Sequence, residues 1–396
     1  MKENILIAQS GGPSMVINQS LIGAVTTALD SKQVGKVYGS LHGIQGILDD
    51  NLIDFRKESR KNLELVAATP SSALGSVRRK PDAATCEKIL AALRAREISH
   101  FFYIGGNDSA ETAFIIAQAA CKAGDQISCI HIPKTIDNDL RANDHTPGYG
   151  SAAKFVACAL MGDDLDNRAL GGVKIDVVMG RNAGFLTAAA ALARTEPDDG
   201  PHLIYLPERP FSMDKFVKDV QGVMKRIGRC VVAVSEGIAD KNGTPIAAAF
   251  SKETDSHGNI QLSGTGALGD LLATELKKAT GISRVRADTF GYLQRSFPGV
   301  VSETDAEEAR MAGIVAVTAA LDGIPTGSVT IQRKPGKRYA PMFVIQPLDE
   351  VAKFTRSMPK EFINRAGNDV TQAYIDYARP LVGTLPKIAH LKAVRA

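Results

Sequence analysis

The sequence predicts an α/β protein of two lobes, and three observations carry that prediction. Short apolar runs rich in β-forming residues alternate with longer stretches of helical periodicity. Glycine and proline cluster where the short runs end, at Gly11-Gly12-Pro13, Gly105-Gly106 and Pro147-Gly148. One pattern also occurs twice, as strand, Gly-Gly, polar turn and helix, in Gln9–Ser14 and again in Tyr103–Ser109. A chain of 396 residues has room for about two or three domains at ~150 residues each.

Taken in order, the strands predicted are Asn4–Ala8, Phe101–Ile104, Ile127–Ile132, Ile175–Val178 and Cys230–Val234. Helical spacing predicts Val16–Leu29, Ala83–Arg96, Ser109–Ala123 and Phe216–Ile227 between and after them. A further helix, Glu303–Leu321, starts at a Ser302-x-x-Asp305 capping signal. No low-complexity run or solenoid repeat interrupts this pattern.

Composition narrows the function classes. With 44% apolar and 23% charged residues the chain is globular. A net charge of +4 is too small for a nucleic-acid coat and suits anionic small molecules at least as well. There is no Trp and aromatics are 6%, so single strands find few stacking platforms. Five cysteines without a C-x-x-C pair argue for reduced thiols, not a disulfide framework or a zinc site. Seven histidines include no H-E-x-x-H. The apolar run in Met1–Ala8 is too short for a signal peptide, and Leu186–Ala193 is far short of the ~20 residues of a membrane span, so a cytoplasmic enzyme without membrane contact is expected.

The turns are where chemistry concentrates. A Gly-Gly turn between strand and helix lets backbone N–H groups and the helix N-terminus approach an anion, although many α/β folds turn this way with no ligand. Asp108-x-x-Glu111 also reads as a capping box. Gly264-Thr265-Gly266-Ala267-Leu268-Gly269 matches a dinucleotide fingerprint, but the loop-like residues 255–259 stand where the motif needs a strand. No Walker A loop is present, because neither Gly35-Lys36 nor Gly336-Lys337 is followed by Ser or Thr. In Pro133-Lys134-Thr135-Ile136-Asp137-Asn138-Asp139, two carboxylates beside a Thr and a Lys could serve phosphoryl transfer, or could be a solvated loop with Asx turns. Met179-Gly180-Arg181 puts an Arg at a strand's C-terminal end, where open α/β sheets bind ligands, and Arg286, Tyr292 and Arg295 supply two more guanidinium groups.

In order, Ser10-Gly11-Gly12, Gly75-Ser76-Val77-Arg78, Gly105-Gly106-Asn107-Asp108-Ser109, Pro133–Asp139, Met179-Gly180-Arg181, Ser235-Glu236-Gly237 and Gly291-Tyr292-Leu293-Gln294-Arg295 span residues 4 to 300. Together they resemble the phosphofructokinase superfamily, while the tail beyond Ser357 matches nothing in it. The resemblance implies two Rossmann-like α/β lobes with the active site in the cleft between them. It implies a pyrophosphate/Mg-binding lobe of 1–148 plus 294–350 and a fructose 6-phosphate lobe of 149–293 plus 351–396. Homodimers or homotetramers are usual for such a fold.

Two residues point to the pyrophosphate-dependent branch. Members that use ATP carry glycine where this chain has Asp108 and Lys134. A carboxylate ~4 Å from the α-phosphate of ATP would cost about 4 kcal/mol at an effective dielectric near 20, roughly a thousandfold in affinity. Pyrophosphate has no group there. The implied reaction is reversible phosphorylation of fructose 6-phosphate at its 1-hydroxyl, with Mg²⁺. The alternatives are ATP as donor, sedoheptulose 7-phosphate as acceptor, or a non-catalytic regulatory subunit, against which both Asp137 and Asp139 argue.

By resemblance, Asp137 is the base, and Asp139 and Thr135 position the hydroxyl and the phosphoryl group. Gly12, Arg78, Gly106, Asp108 and Lys134 surround pyrophosphate. Met179, Gly180, Arg181, Glu236, Arg286, Tyr292 and Arg295 face fructose 6-phosphate, the last Arg–Tyr–Arg set on its phosphate. Asn107 replaces an Asp that helps hold Mg²⁺, leaving Asn107 and Asp108 as the metal residues. Gly172-Val173-Lys174 lacks the Arg that many members lend across a subunit interface, and Lys174 or Arg168 are the substitutes within reach of the motif.

Overall fold

A computed structural model describes residues 2–249, 266–336, 338–352 and 354–391. Its strands are β1 (Glu3–Gln9), β2 (Val34–Ser40), β3 (Leu52–Asp54), β4 (Ile98–Gly105), β5 (Ser128–Pro133), β6 (Gly172–Val178), β7 (Leu203–Tyr205), β8 (Arg229–Ser235), β9 (Val285–Thr289), β10 (Thr326–Arg333) and β11 (Pro341–Gln346). The helices are α1 (Ile17–Asp30), α2 (Ile44–Leu48), α3 (Arg60–Ala67), α4 (Ala83–Ala95), α5 (Asn107–Ala123), α6 (Tyr149–Leu170), α7 (Phe185–Ala188), α8 (Met213–Ile227), α9 (Ala267–Thr280), α10 (Leu293–Ser296), α11 (Glu303–Leu321), α12 (Leu348–Val351) and α13 (Gln372–Val382). The described residues of Met1–Ala152 and Tyr292–Ser357 form unit 1, and those of Ala153–Ser251, Leu262–Gly291 and Met358–Ala396 form unit 2.

Unit 1 is built on a seven-stranded sheet in the order β11-β10-β5-β4-β1-β2-β3. Strand alternation sends side chains to opposite faces. Ile5, Ile7, Phe102, Ile104, Ile130 and Ile132 pack with α1 and α11 on one face. Leu6, Ala8, Phe101, Tyr103 and Cys129 pack with α4 and α5 on the other. With both faces covered, the inner strands read as continuous apolar runs, which is why β1, β4 and β5 were legible. Their pairing aligns the motif turns: Gln9 lies opposite Ile104, and Gly105 opposite Pro133. The turns after β1, β4 and β5 therefore share the C-terminal edge of three adjacent parallel strands, which is where open α/β sheets place ligands.

Unit 2 repeats the device on a four-stranded parallel sheet, β7-β8-β6-β9. Val178 pairs with Ser235 and Val177 with Thr289, so Met179, Glu236 and Phe290 emerge along one edge. The tail that resembled nothing belongs to this unit. Tyr374 of α13 is buried and donates to the Phe185 carbonyl, Ile204 N–H donates to the Asn368 carbonyl, and Arg194 grips Asp369 with two 3.0 Å bonds. The described residues of 351–357, expected with the second lobe, group instead with unit 1, as do residues 149–152 and 292–293. There Val351 and Ala352 pack against Leu140 and Ala110.

One smaller expectation is corrected. Helix α5 begins at Asn107, with Gly106 as its N-cap and no side chain capping it, so Asp108 lies in the first turn and the capping-box reading fails. In the supposed dinucleotide fingerprint, residues 255–259, Gly264 and Thr265 lie outside the described residues. Ser302 does cap α11, accepting from Asp305 N–H.

Candidate active site

In unit 1 the site starts from backbone. Gly11 has φ +74°, a left-handed conformation that favours glycine, and a Cβ there would stand 3.3 Å from Lys134 Nζ. A Cβ on Gly12 would stand 3.0 Å from Arg295 Cζ, so glycine leaves room for that guanidinium. The strap Gly75–Arg78 runs alongside: Gly11 N–H donates to the Val77 carbonyl, and Ser76 Oγ donates to the Gly11 carbonyl. The Ser10 and Ser109 hydroxyls share a hydrogen bond, tying the turn after β1 to the start of α5. Lys134 is buried, its Nζ donating to the Gly12 carbonyl and its N–H to the Gly105 carbonyl. Burial, then the nearby charge of Arg295 and Arg78, lowers Lys134 to about 7, against the pull of Asp137 and Asp139.

The acidic turn follows directly. Asp137 is half-buried, and its N–H donates to Thr135 Oγ1 at 3.2 Å. Asp139 is buried, and its carboxylate accepts from Asn107 Nδ2 at 3.3 Å and Thr135 Oγ1 at 3.5 Å. Burial and then the adjacent Asp137 carboxylate push Asp139 well above the usual carboxylate range, with Arg356 and Thr135 opposing. Buried ionisable groups of opposite sign with displaced titration, at the edge of a sheet, are a recurrent feature of reactive sites and also of structural ion-pair networks.

Asn107 provides the test for a metal. Its Nδ2 is committed to Asp139, but its Oδ1 is buried with no hydrogen-bond partner among the described residues. An orphaned amide oxygen, one residue before the exposed Asp108 carboxylate in the chain, is the kind of hard-oxygen donor that fits Mg²⁺.

Arg295, expected on the sugar phosphate, also borders the Gly-Gly turn. Arg295 stacks over the Tyr292 ring at 4.8 Å and lies against Gly12, so it joins Lys134 and Arg78 around the Gly-Gly turn. Tyr292 is half exposed.

In unit 2, Gly180 has φ +133°, and its carbonyl accepts from Ser235 Oγ at 2.6 Å. Glu236 is buried, its N–H donating to the Val178 carbonyl. Gly237 packs so tightly that a Cβ there would stand 2.0 Å from the Arg181 carbonyl oxygen. Met179 is buried, Arg181 half-buried and Arg286 exposed on β9. The two expected substitutes for the missing Arg are both engaged elsewhere. Lys174 pairs with Asp288, Asp163 at 3.4 Å and Asp176 at 3.8 Å. Arg168 pairs with Asp164 and Asp199.

Sequence reasoning missed two residues. Glu208 accepts from Gly184 N–H at 2.8 Å and Met358 N–H at 3.1 Å, bracing the Gly180–Gly184 turn, and burial raises its carboxyl. Arg356 braces the acidic turn through the Asn138 carbonyl. Neither sits in a Gly-rich or acidic motif, so no local signal marked it.

The family model described as phosphofructokinase matches residues 4–320. The chain is 56% identical over 384 residues to the pyrophosphate–fructose 6-phosphate 1-phosphotransferase of Rhodospirillum rubrum, covering 96% of this chain and 95% of that one. It is 40% identical to the protein of the same name from Xanthomonas campestris pv. campestris, over 99% of this chain and 96% of that one. Among solved structures, the pyrophosphate-dependent phosphofructokinase of Marinobacter aquaeolei superposes with TM-score 0.86 at 36% identity, covering 98% of this chain and 96% of the other.

Proposed function

The chain belongs to the phosphofructokinase family, and from that premise we propose how its residues carry out the transfer of a phosphoryl group from pyrophosphate to fructose 6-phosphate. Lys134, Arg78 and Arg295 gather around the Gly-Gly turn after β1 and take the negative charge of pyrophosphate. Backbone N–H groups at Gly12 and Gly106 add further donors to it. Asn107 and Asp108 would hold Mg²⁺, which supplies further charge neutralisation to the diphosphate when bound.

Arg181, Arg286, Glu236, Met179 and Gly180 take fructose 6-phosphate, the two guanidinium groups suiting its phosphate. Asp137 accepts the proton of the 1-hydroxyl as that oxygen forms its bond to phosphorus. The bridging P–O bond of pyrophosphate breaks, and inorganic phosphate leaves with the pair of electrons. Asp139 and Thr135 orient the reacting groups. Little covalent work falls to the protein, so positioning and fixed charge supply most of the rate. A cytoplasmic homodimer or homotetramer is the assembly we assign; among the described residues no helix is long and apolar enough to cross a membrane.

The single observation that carries the donor assignment is Lys134 buried against the Gly12 carbonyl, with Asp108 at the start of α5. Together they favour a compact, highly charged donor over a nucleotide. A coupled assay with fructose 6-phosphate and Mg²⁺ checks it. Turnover with pyrophosphate and none with ATP is expected; turnover with ATP alone would overturn it.

A further inference from the structure

We infer that Arg356 is a positioning residue for the reaction, holding the Asp137–Asp139 turn in its working shape from outside the stretch that the family match covers. The inference rests on Asp137 being the base. Residues 4–320 carry the match, and Arg356 lies beyond it.

The contacts are specific. Arg356 Nε donates to the Asn138 carbonyl at 2.8 Å, Nη2 to the Asp144 carbonyl at 2.7 Å, and Nη1 to the Asn143 carbonyl. Its own N–H donates to the Asp139 carbonyl at 2.8 Å. One planar fork thus fixes three carbonyls of the loop that follows Asp137, which a lysine cannot reproduce. The loop needs fixing, because Asn138 sits between the two carboxylates at φ +59°, a conformation that persists only where its surroundings impose it. The segment bearing Arg356 is itself well anchored. Leu140 bridges Thr355, Val351 and Ala352 pack with Leu140, and Arg141 lies over the Phe354 ring at 5.0 Å. Removing the guanidinium therefore loosens the turn while leaving the apolar anchor in place.

Arg356→Ala and Arg356→Lys are compared with wild type by steady-state kinetics and thermal unfolding. The expected result for Arg356→Ala is a fall of about 100-fold in kcat, of the size that a ~1 Å misplacement causes, with KM for both substrates within about threefold. Arg356→Lys restores part of kcat, and added guanidinium ion restores part of the Arg356→Ala activity, with cooperative unfolding kept throughout. Either a kcat within about threefold of wild type, or a loss that tracks unfolding and answers to neither Lys nor guanidinium, overturns the inference. Asp137→Asn separates the two levels. If it retains turnover, the assignment of the base fails; if it is inactive while Arg356→Ala is not, only the role of Arg356 fails.

Discussion

The turns after β1, β4 and β5 in unit 1 surround a buried ammonium and a buried carboxylate, whereas the edge of β6, β8 and β9 in unit 2 presents buried backbone turns topped by a half-buried and an exposed arginine. Both units use parallel strands whose C-terminal ends line up in register. What differs is which charges are buried: unit 1 buries an ammonium together with a carboxylate, whereas unit 2 buries the Glu236 carboxylate and leaves Arg181 and Arg286 nearer the surface. Lys134 and Asp139 are held away from water, and burial displaces both titrations. In the proposed reaction this difference becomes a division of labour, with the chemistry assigned to the edge of unit 1 and the sugar phosphate to that of unit 2.

Substitutions can break that division. The largest effect is expected for Asp137→Asn, a loss of about 10³–10⁴-fold in kcat, read by coupled assay. Next, Lys134→Met removes a charge-assisted contact of about 1.5–3 kcal/mol, raising KM for pyrophosphate about 10- to 150-fold. Lys134 also predicts a pH effect. A lysine lowered to about 7 carries its charge below that pH and loses it above, so kcat/KM for pyrophosphate should fall as pH rises past 7, and Lys134→Met should lack that limb. Arg286→Ala should raise KM for fructose 6-phosphate about tenfold and leave kcat within about threefold; a collapse of kcat there would erase the contrast between the units.

The smallest effect concerns stability in unit 2. Burial would raise Asp199, but bonds from the Thr195 hydroxyl and the Thr195 and Glu196 backbone, with Arg168, hold it below the usual range. A lowered carboxylate stabilises the fold above the unfolded value near 4 and loses that contribution as pH falls further. Asp199→Asn should therefore lower the melting midpoint by about 2–4 °C at pH 7, with the gap closing in acid.

The sequence revealed what is buried on two faces or built from Gly-rich turns. β1, β4, β5, β6 and β8 are apolar runs, and their turns hold the motifs. It hid β2 and β10, whose glycines and polar residues dilute the strand pattern, and α6, whose Ala- and Gly-rich surface shows no single apolar stripe. Arg295 was expected with Arg286 and Tyr292 on the sugar phosphate, and its place beside Gly12, close enough for its charge to act on Lys134, could not be read from the sequence. Arg356 was invisible because it acts on carbonyls, which every residue has.

Calorimetric titration of fructose 6-phosphate into Asp137→Asn tests the division most directly. Binding within about threefold of wild type is expected from a protein that no longer turns over, because the proposed sugar-phosphate residues Arg181 and Arg286 are untouched by the substitution. Loss of binding together with turnover, or turnover that survives, would contradict it.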